Sequence, residues 1–100
     1  MATHPFYKST KWKKKREKIL RRDGYMCQVS KRYGKRIPAT TVHHIYPLED
    51  YPAYGLEDWN LLSVSMEINN RLHDRKSGNL TPLGIALMER TTPPERIPPT

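Results

Sequence analysis

The stretch from Val42 to Arg75 constrains this chain more than any other. Two short apolar runs shape it, Thr40-Thr41-Val42-His43-His44-Ile45 leading in and Asn60-Leu61-Leu62-Ser63-Val64 within, and Ser65 follows the second. Threonine and valine favour extended backbone, so both runs read as strands. Pro47 stops the first, and Pro52 and Gly55 argue for a loop through the acidic, aromatic residues 48–58. Ser65 can cap a helix predicted over 66–76, with Ile68 and Leu72 on its inner side and Gly78 after its end. Strand, loop, strand, helix is a ββα unit, and the chain is of the α+β class. Three of the four histidines fall here. A helix reaching residue 76 puts Asn69 and His73, four positions apart, on one face.

The flanks read as scaffold. Residues 3–8 form an arm that Phe6 and Tyr7 can anchor. Ser9 or Thr10 caps a basic helix running to about Asp23, with Trp12, Ile19 and Leu20 as its thin apolar stripe and Gly24 ending it. Tyr25-Met26-Cys27-Gln28-Val29 reads as a strand, and residues 31–35, with Gly34, as a turn. Thr81-Pro82 opens a short last helix packed through Leu83, Ile85, Leu87 and Met88. Residues 91–100 contain four prolines and read as an extended or disordered tail. The expectation is one domain over 1–90, with its ββα core at about 40–76.

A chain of 100 residues buries only about 60–70% of its unfolded surface, and such small cores often recruit a disulfide or a metal. Cys27 is the only cysteine, which rules out an internal disulfide and a four-cysteine zinc site. The N-terminus lacks the apolar core of a signal peptide, and no apolar run approaches the roughly 20 residues that span a membrane. The expectation is a cytoplasmic protein without membrane contact. The net charge of +8 points to a polyanion, with nucleic acid the commonest such partner. The charge is concentrated at Lys11, Lys13, Lys14, Lys15 and Arg16, with Arg21 and Arg22 following. A solvated helix face is the plainer reading of the same residues.

Phosphodiester cleavage needs a nucleophilic water, a base to deprotonate it, and a cation to stabilise the departing oxygen. Strand neighbours point to opposite sides, so one histidine of the 43–44 pair can hold a metal while the other faces the water. An imidazole, with an unperturbed pKa of about 6.5, suits the base role. Asn69 and His73 can approach the same metal from the facing helix. Pattern alone leaves open a buried strand histidine beside an exposed one, and a surface asparagine at 69.

These residues also resemble the HNH endonuclease family, especially its small phage-encoded type. The resemblance rests on Phe6-Tyr7-Lys8-Ser9 with Trp12, Arg22-Asp23-Gly24-Tyr25-Met26-Cys27-Gln28 and Val42-His43-His44-Ile45-Tyr46-Pro47-Leu48. It continues through Trp59-Asn60-Leu61-Leu62 and Asn69-Asn70-Arg71-Leu72-His73-Asp74. It implies a ββα-metal (His-Me finger) fold, with His43 a metal ligand and His44 the general base. Asn60 would be the middle asparagine, pinning the inter-strand loop and orienting the base through its carbonyl. The third motif position falls on Asn69, an H-N-N variant whose amide oxygen favours Mg²⁺ or Mn²⁺, with Zn²⁺ or Ni²⁺ as alternatives. His73 would be a further ligand, bind through water, or contact the phosphate. Many phage relatives carry a structural zinc on two C-x-x-C pairs. Here those positions read Cys27, Ser30, Ser65 and Ile68, so the structural zinc is lost, Ile68 fills its space and Ser65 caps the helix.

The resemblance implies a metal-dependent DNA endonuclease that nicks duplex DNA with weak sequence preference, in a bacterial host cytoplasm if phage-encoded. Lys11, Lys13, Lys14, Lys15, Arg71 and Lys76 are the candidate phosphate contacts. The alternative is a non-catalytic DNA-binding module or an accessory of a phage terminase in DNA packaging, docked through the last helix and tail. Trp12, Trp59 and Tyr25 read as core rather than base-stacking residues, and His4 as a tail residue.

Overall fold

The computed structural model describes residues 5–96. Two strands, β1 (Thr41–His44) and β2 (Leu61–Val64), pair antiparallel, with Thr41 opposite Val64 and His44 opposite Leu61. This two-stranded ribbon is buried on both faces. Val42, His44, Leu61 and Ser63 face α1 (Thr10–Arg22), where Trp12, Ile19, Leu20 and Ala39 complete one cluster. The other face carries His43, Leu62 and Val64. It packs with α2 (Gln28–Arg32), α3 (Met66–Leu72) and α4 (Pro82–Glu89) through Cys27, Ile45, Tyr46, Leu72 and Leu87. Ribbon pleat and helix placement together send the two adjacent histidines into different layers.

Local chemistry explains most boundaries. The Ser9 hydroxyl accepts from the Trp12 amide and starts α1; Gly24, at φ +63°, ends it. Ser65 caps α3 by accepting from Ile68, and Thr81 caps α4 by accepting from Gly84. The last turn of α1 is tied to β2. Arg22 donates to the Leu61 and Asp58 carbonyls at 2.7 and 2.9 Å, and Asp23 accepts the Ser63 amide at 3.0 Å. Burial raises the Asp23 carboxyl pKa, but Arg22 and the Ser63 bonds outweigh it and hold it below the ordinary carboxylate value.

Four expectations need correction. The strand expected at Tyr25–Val29 reduces to a single bridge, Met26 to Pro38, after which the chain turns into α2. Gly24 and Tyr25 both lie at positive φ, which swings the chain away from extended pairing. Tyr25 itself is exposed, not core. The third helix stops at Leu72, short of residue 76, because Thr81 takes its last carbonyls. The Thr81 hydroxyl donates to Arg71 O at 2.6 Å and its amide to Leu72 O at 3.0 Å. His73 is therefore extended (φ −127°, ψ 142°) and bridges to Leu80. Last, the tail begins packed. Tyr46 donates to Thr91 O at 2.7 Å, Pro93 is fully buried and Pro94–Arg96 form a 3-10 turn. The rest of that tail, residues 97–100, and the start of the expected arm with His4 lie outside the described residues.

Candidate active site

A cleft of about 470 Å³ opens beside β1, and His43, His44, Asn69 and His73 all line it, with Tyr7 and Glu49. The His43 ring is buried at 1% exposure, edge-on to the His73 ring at a centroid distance of 4.9 Å. Neither His43 nitrogen has a hydrogen-bond partner among the described residues. A buried polar atom without a partner costs about 1–3 kcal/mol, so such an imidazole is expected to have a ligand. Burial first, and then the His73 and His44 rings, push its pKa down to about 3. It is neutral at physiological pH, the form that binds a metal.

His44 occupies the α1 layer. Its ring stacks on Trp12, with centroids 5.0 Å apart at 24°, and lies edge-on to Phe6 and Tyr7. Its Nε2 sits 3.0 Å from the Gly55 carbonyl. A carbonyl only accepts, so Nε2 carries the proton and donates, leaving Nδ1 as the basic nitrogen. Burial and the His73 ring lower the His44 pKa, and the Gly55 bond opposes them. By the same logic His73 Nδ1, 3.4 Å from the Asn69 carbonyl, is the donor, and Nε2 is the ring nitrogen without that contact.

Asn60 is fully buried and does not line the cleft. Its side chain accepts from the Tyr46 amide at 2.7 Å and donates to the Tyr46 and Tyr54 carbonyls at 3.1 and 3.2 Å. It thus pins both ends of the inter-strand loop. Its own carbonyl accepts from Ile45, and the carbonyl on His44 belongs to Gly55. The carbonyl contact on the His44 ring, expected from Asn60, is therefore made by Gly55. Nothing but a loop was legible at Gly55, because a backbone acceptor leaves no side-chain signature. A Cβ there would come 2.9 Å from Leu48 Cδ1, 3.1 Å from the Phe6 ring and 3.2 Å from the Pro52 carbonyl, so a side chain would crowd this turn.

Two imidazoles and an amide oxygen around a solvent-reaching cleft form a donor set that a divalent cation can use, with positions left for water or a phosphate oxygen. Among the described residues no three His, Cys, Asp or Glu side chains are grouped to hold a metal, so Asn69 would have to supply the third protein donor. Where the resemblance aligns the zinc cysteines of phage relatives, Ser30 donates to the Cys27 sulfur at 3.3 Å, and Ile68 packs into the same cluster.

The expected phosphate contacts divide. Lys11, Lys13 and Lys14 are exposed. Lys15 is not available: it pairs with Asp58, which also takes Lys18 at 2.9 Å. Arg16 donates to Thr40 O at 2.7 Å, so much of the charge on α1 braces the ribbon. Arg71 pairs with Glu67 at 2.8 Å, and Lys76 is exposed in the loop after α3. Among the described residues no helix is long and apolar enough to cross a membrane.

No family model matches the chain, and no curated protein sequence matches it. Among solved structures it is similar to the crystal structure of an HNH endonuclease from the deep-sea thermophilic bacteriophage GVE2, determined with manganese ion. The two share 34% identity at a TM-score of 0.66, over 67% of this chain and 73% of that one.

Proposed function

The chain belongs to the HNH endonuclease family, and from that premise we propose that it is a divalent-metal-dependent DNA endonuclease whose β1, β2 and α3 form a ββα-metal site. The carrying observation is the His43 imidazole, buried with both nitrogens unpartnered and facing His73 across the cleft. His43, Asn69 and Nε2 of His73 would hold the ion. Mg²⁺ or Mn²⁺ is favoured by the amide oxygen, and the similar phage enzyme was crystallised with manganese. When bound, such an ion neutralises the charge that develops on the phosphate and the departing 3′ oxygen.

The chain's own residues supply the remaining chemistry. Nδ1 of His44 takes a proton from the water that attacks phosphorus, while the Gly55 carbonyl and Trp12 hold the ring in place. The new P–O bond forms as the P–O3′ bond breaks, and the departing 3′ oxygen takes a proton from solvent, leaving a 5′-phosphate and a 3′-hydroxyl. One site serves one strand, so a single encounter nicks the duplex. Exposed Lys11, Lys13, Lys14 and Lys76 supply contacts that carry no base information, which gives weak sequence preference. Supercoiled plasmid incubated with Mg²⁺, Mn²⁺ or chelator tests the reading. Relaxed circles bearing 5′-phosphate nicks only with metal support it. Duplex binding with no turnover in any metal would favour a non-catalytic DNA-binding module.

A further inference from the structure

Two hollows adjoin the cleft, and charge separates them. One shares Pro47, Glu49 and Gly78 with the cleft and adds Asp50, so its wall is acidic. The other, about 650 Å³, shares His73 and is lined by Asn70, Asp74, Arg75 and Lys76, so its two cations outnumber its one carboxylate. A phosphodiester chain leaving the cleft is repelled by the first and drawn to the second.

The basic hollow is formed by a built loop. His73 bridges to Leu80 at its neck, and the Asp74 amide donates to Asn79 O at 2.8 Å. Inside, the Asp74 carboxylate accepts the Lys76 amide at 2.9 Å, and Gly78 donates to Asp74 O at 2.8 Å. The turn places Gly78 at φ +76°, where a side chain would be strained. Arg75 and Lys76 at its tip are exposed, and neither side chain has an ion pair or hydrogen bond among the described residues. Lys15 and Arg71, by contrast, are already paired.

We propose that residues 74–79 form a second phosphate-binding element, in which Arg75 and Lys76 hold the DNA backbone just outside the cleft and set which phosphate reaches His44. This rests on the nuclease reading for its substrate. Arg75, with its fork of donors, is the stronger of the two contacts. Because His73 stands at the neck, the gripped phosphate lies next to the metal-binding end of the cleft.

The test is binding of a labelled mixed-sequence duplex in chelator across a salt series, for wild type, R75Q/K76Q and K13Q/K14Q. Removing two phosphate contacts should lower the slope of log K against log salt by about 1.8, with affinity falling equally on unrelated sequences. A wild-type slope in R75Q/K76Q would overturn the proposal. Calorimetric Mn²⁺ binding to R75Q/K76Q should match wild type. A weakened ion would mean that the loop acts through His73, and would overturn it too. The two readings separate: a reduced slope in a protein that cleaves nothing retains the loop and sinks the nuclease, and cleavage with an unchanged slope does the reverse.

Discussion

Replacing Asn60 with alanine should unfold the ribbon's loop before it touches any chemistry. The side chain is fully buried and makes three hydrogen bonds, two to Tyr46 and one to Tyr54. Each such bond contributes about 1 kcal/mol net, and each buried group left unpaired costs about 1–3 kcal/mol. Tyr46 is itself buried, so its amide has no ready access to water. The sum, allowing for partial relaxation, is about 4 kcal/mol. That is a large share of the roughly 5–15 kcal/mol stabilising a domain of this kind. At about 4–8 °C per kcal/mol, the melting midpoint falls by about 15–30 °C. Thermal denaturation followed by far-UV circular dichroism in chelator measures it. A drop smaller than about 4 °C would refute the role assigned to Asn60, because it would mean that the Tyr46 and Tyr54 groups find other partners at no cost.

Acid should weaken the metal-free fold through His43. Its folded pKa of about 3 lies below its ordinary 6.5, so the unfolded chain binds more protons between these values. Its contribution is complete above pH 6.5 and is lost as pH falls toward 3, about 2 kcal/mol of it by pH 5. Urea titrations should show this loss in wild type and a flatter profile in His43→Leu; identical profiles would contradict it. Gly84→Ala puts a Cβ 2.5 Å from Leu72 O, so α4 must shift off α3. A loss of about 2 kcal/mol is expected in the same titration, and an unchanged midpoint would contradict that packing. Asp58→Asn releases Lys15 and Lys18, so duplex binding should tighten and its salt slope should steepen. An unchanged slope would mean that both lysines contact phosphate already.

What was legible in the sequence was what local chemistry decides. Ser9, Ser65 and Thr81 announce helix starts through their own hydroxyls, and Gly24 a helix end. The Val42–Ile45 and Leu61–Val64 runs are β-prone and buried on both faces, so the ribbon could be read directly. The 43–44 pair followed, because pleating sends strand neighbours to opposite layers. What was missed depends on long-range partners. Met26–Val29 is apolar enough for a strand, but positive φ at Gly24 and Tyr25 and the fit of Ser30 against Cys27 turn it into α2. Leu72 ends α3 because Thr81, nine residues away, takes the carbonyls. The hold on His44 comes from Gly55's backbone, and Lys15's charge is taken by Asp58, 43 residues on; neither leaves a local mark.

In the proposed mechanism His44 acts on the water while His43 and His73 face the metal. The most direct measurement pairs plasmid nicking in Mn²⁺ with calorimetric Mn²⁺ binding, for wild type and His44→Ala. Wild type should nick and bind the ion, and His44→Ala should bind it comparably while nicking is lost by about two to four orders of magnitude, the range for a missing general base. Nicking by His44→Ala at the wild-type rate would contradict it.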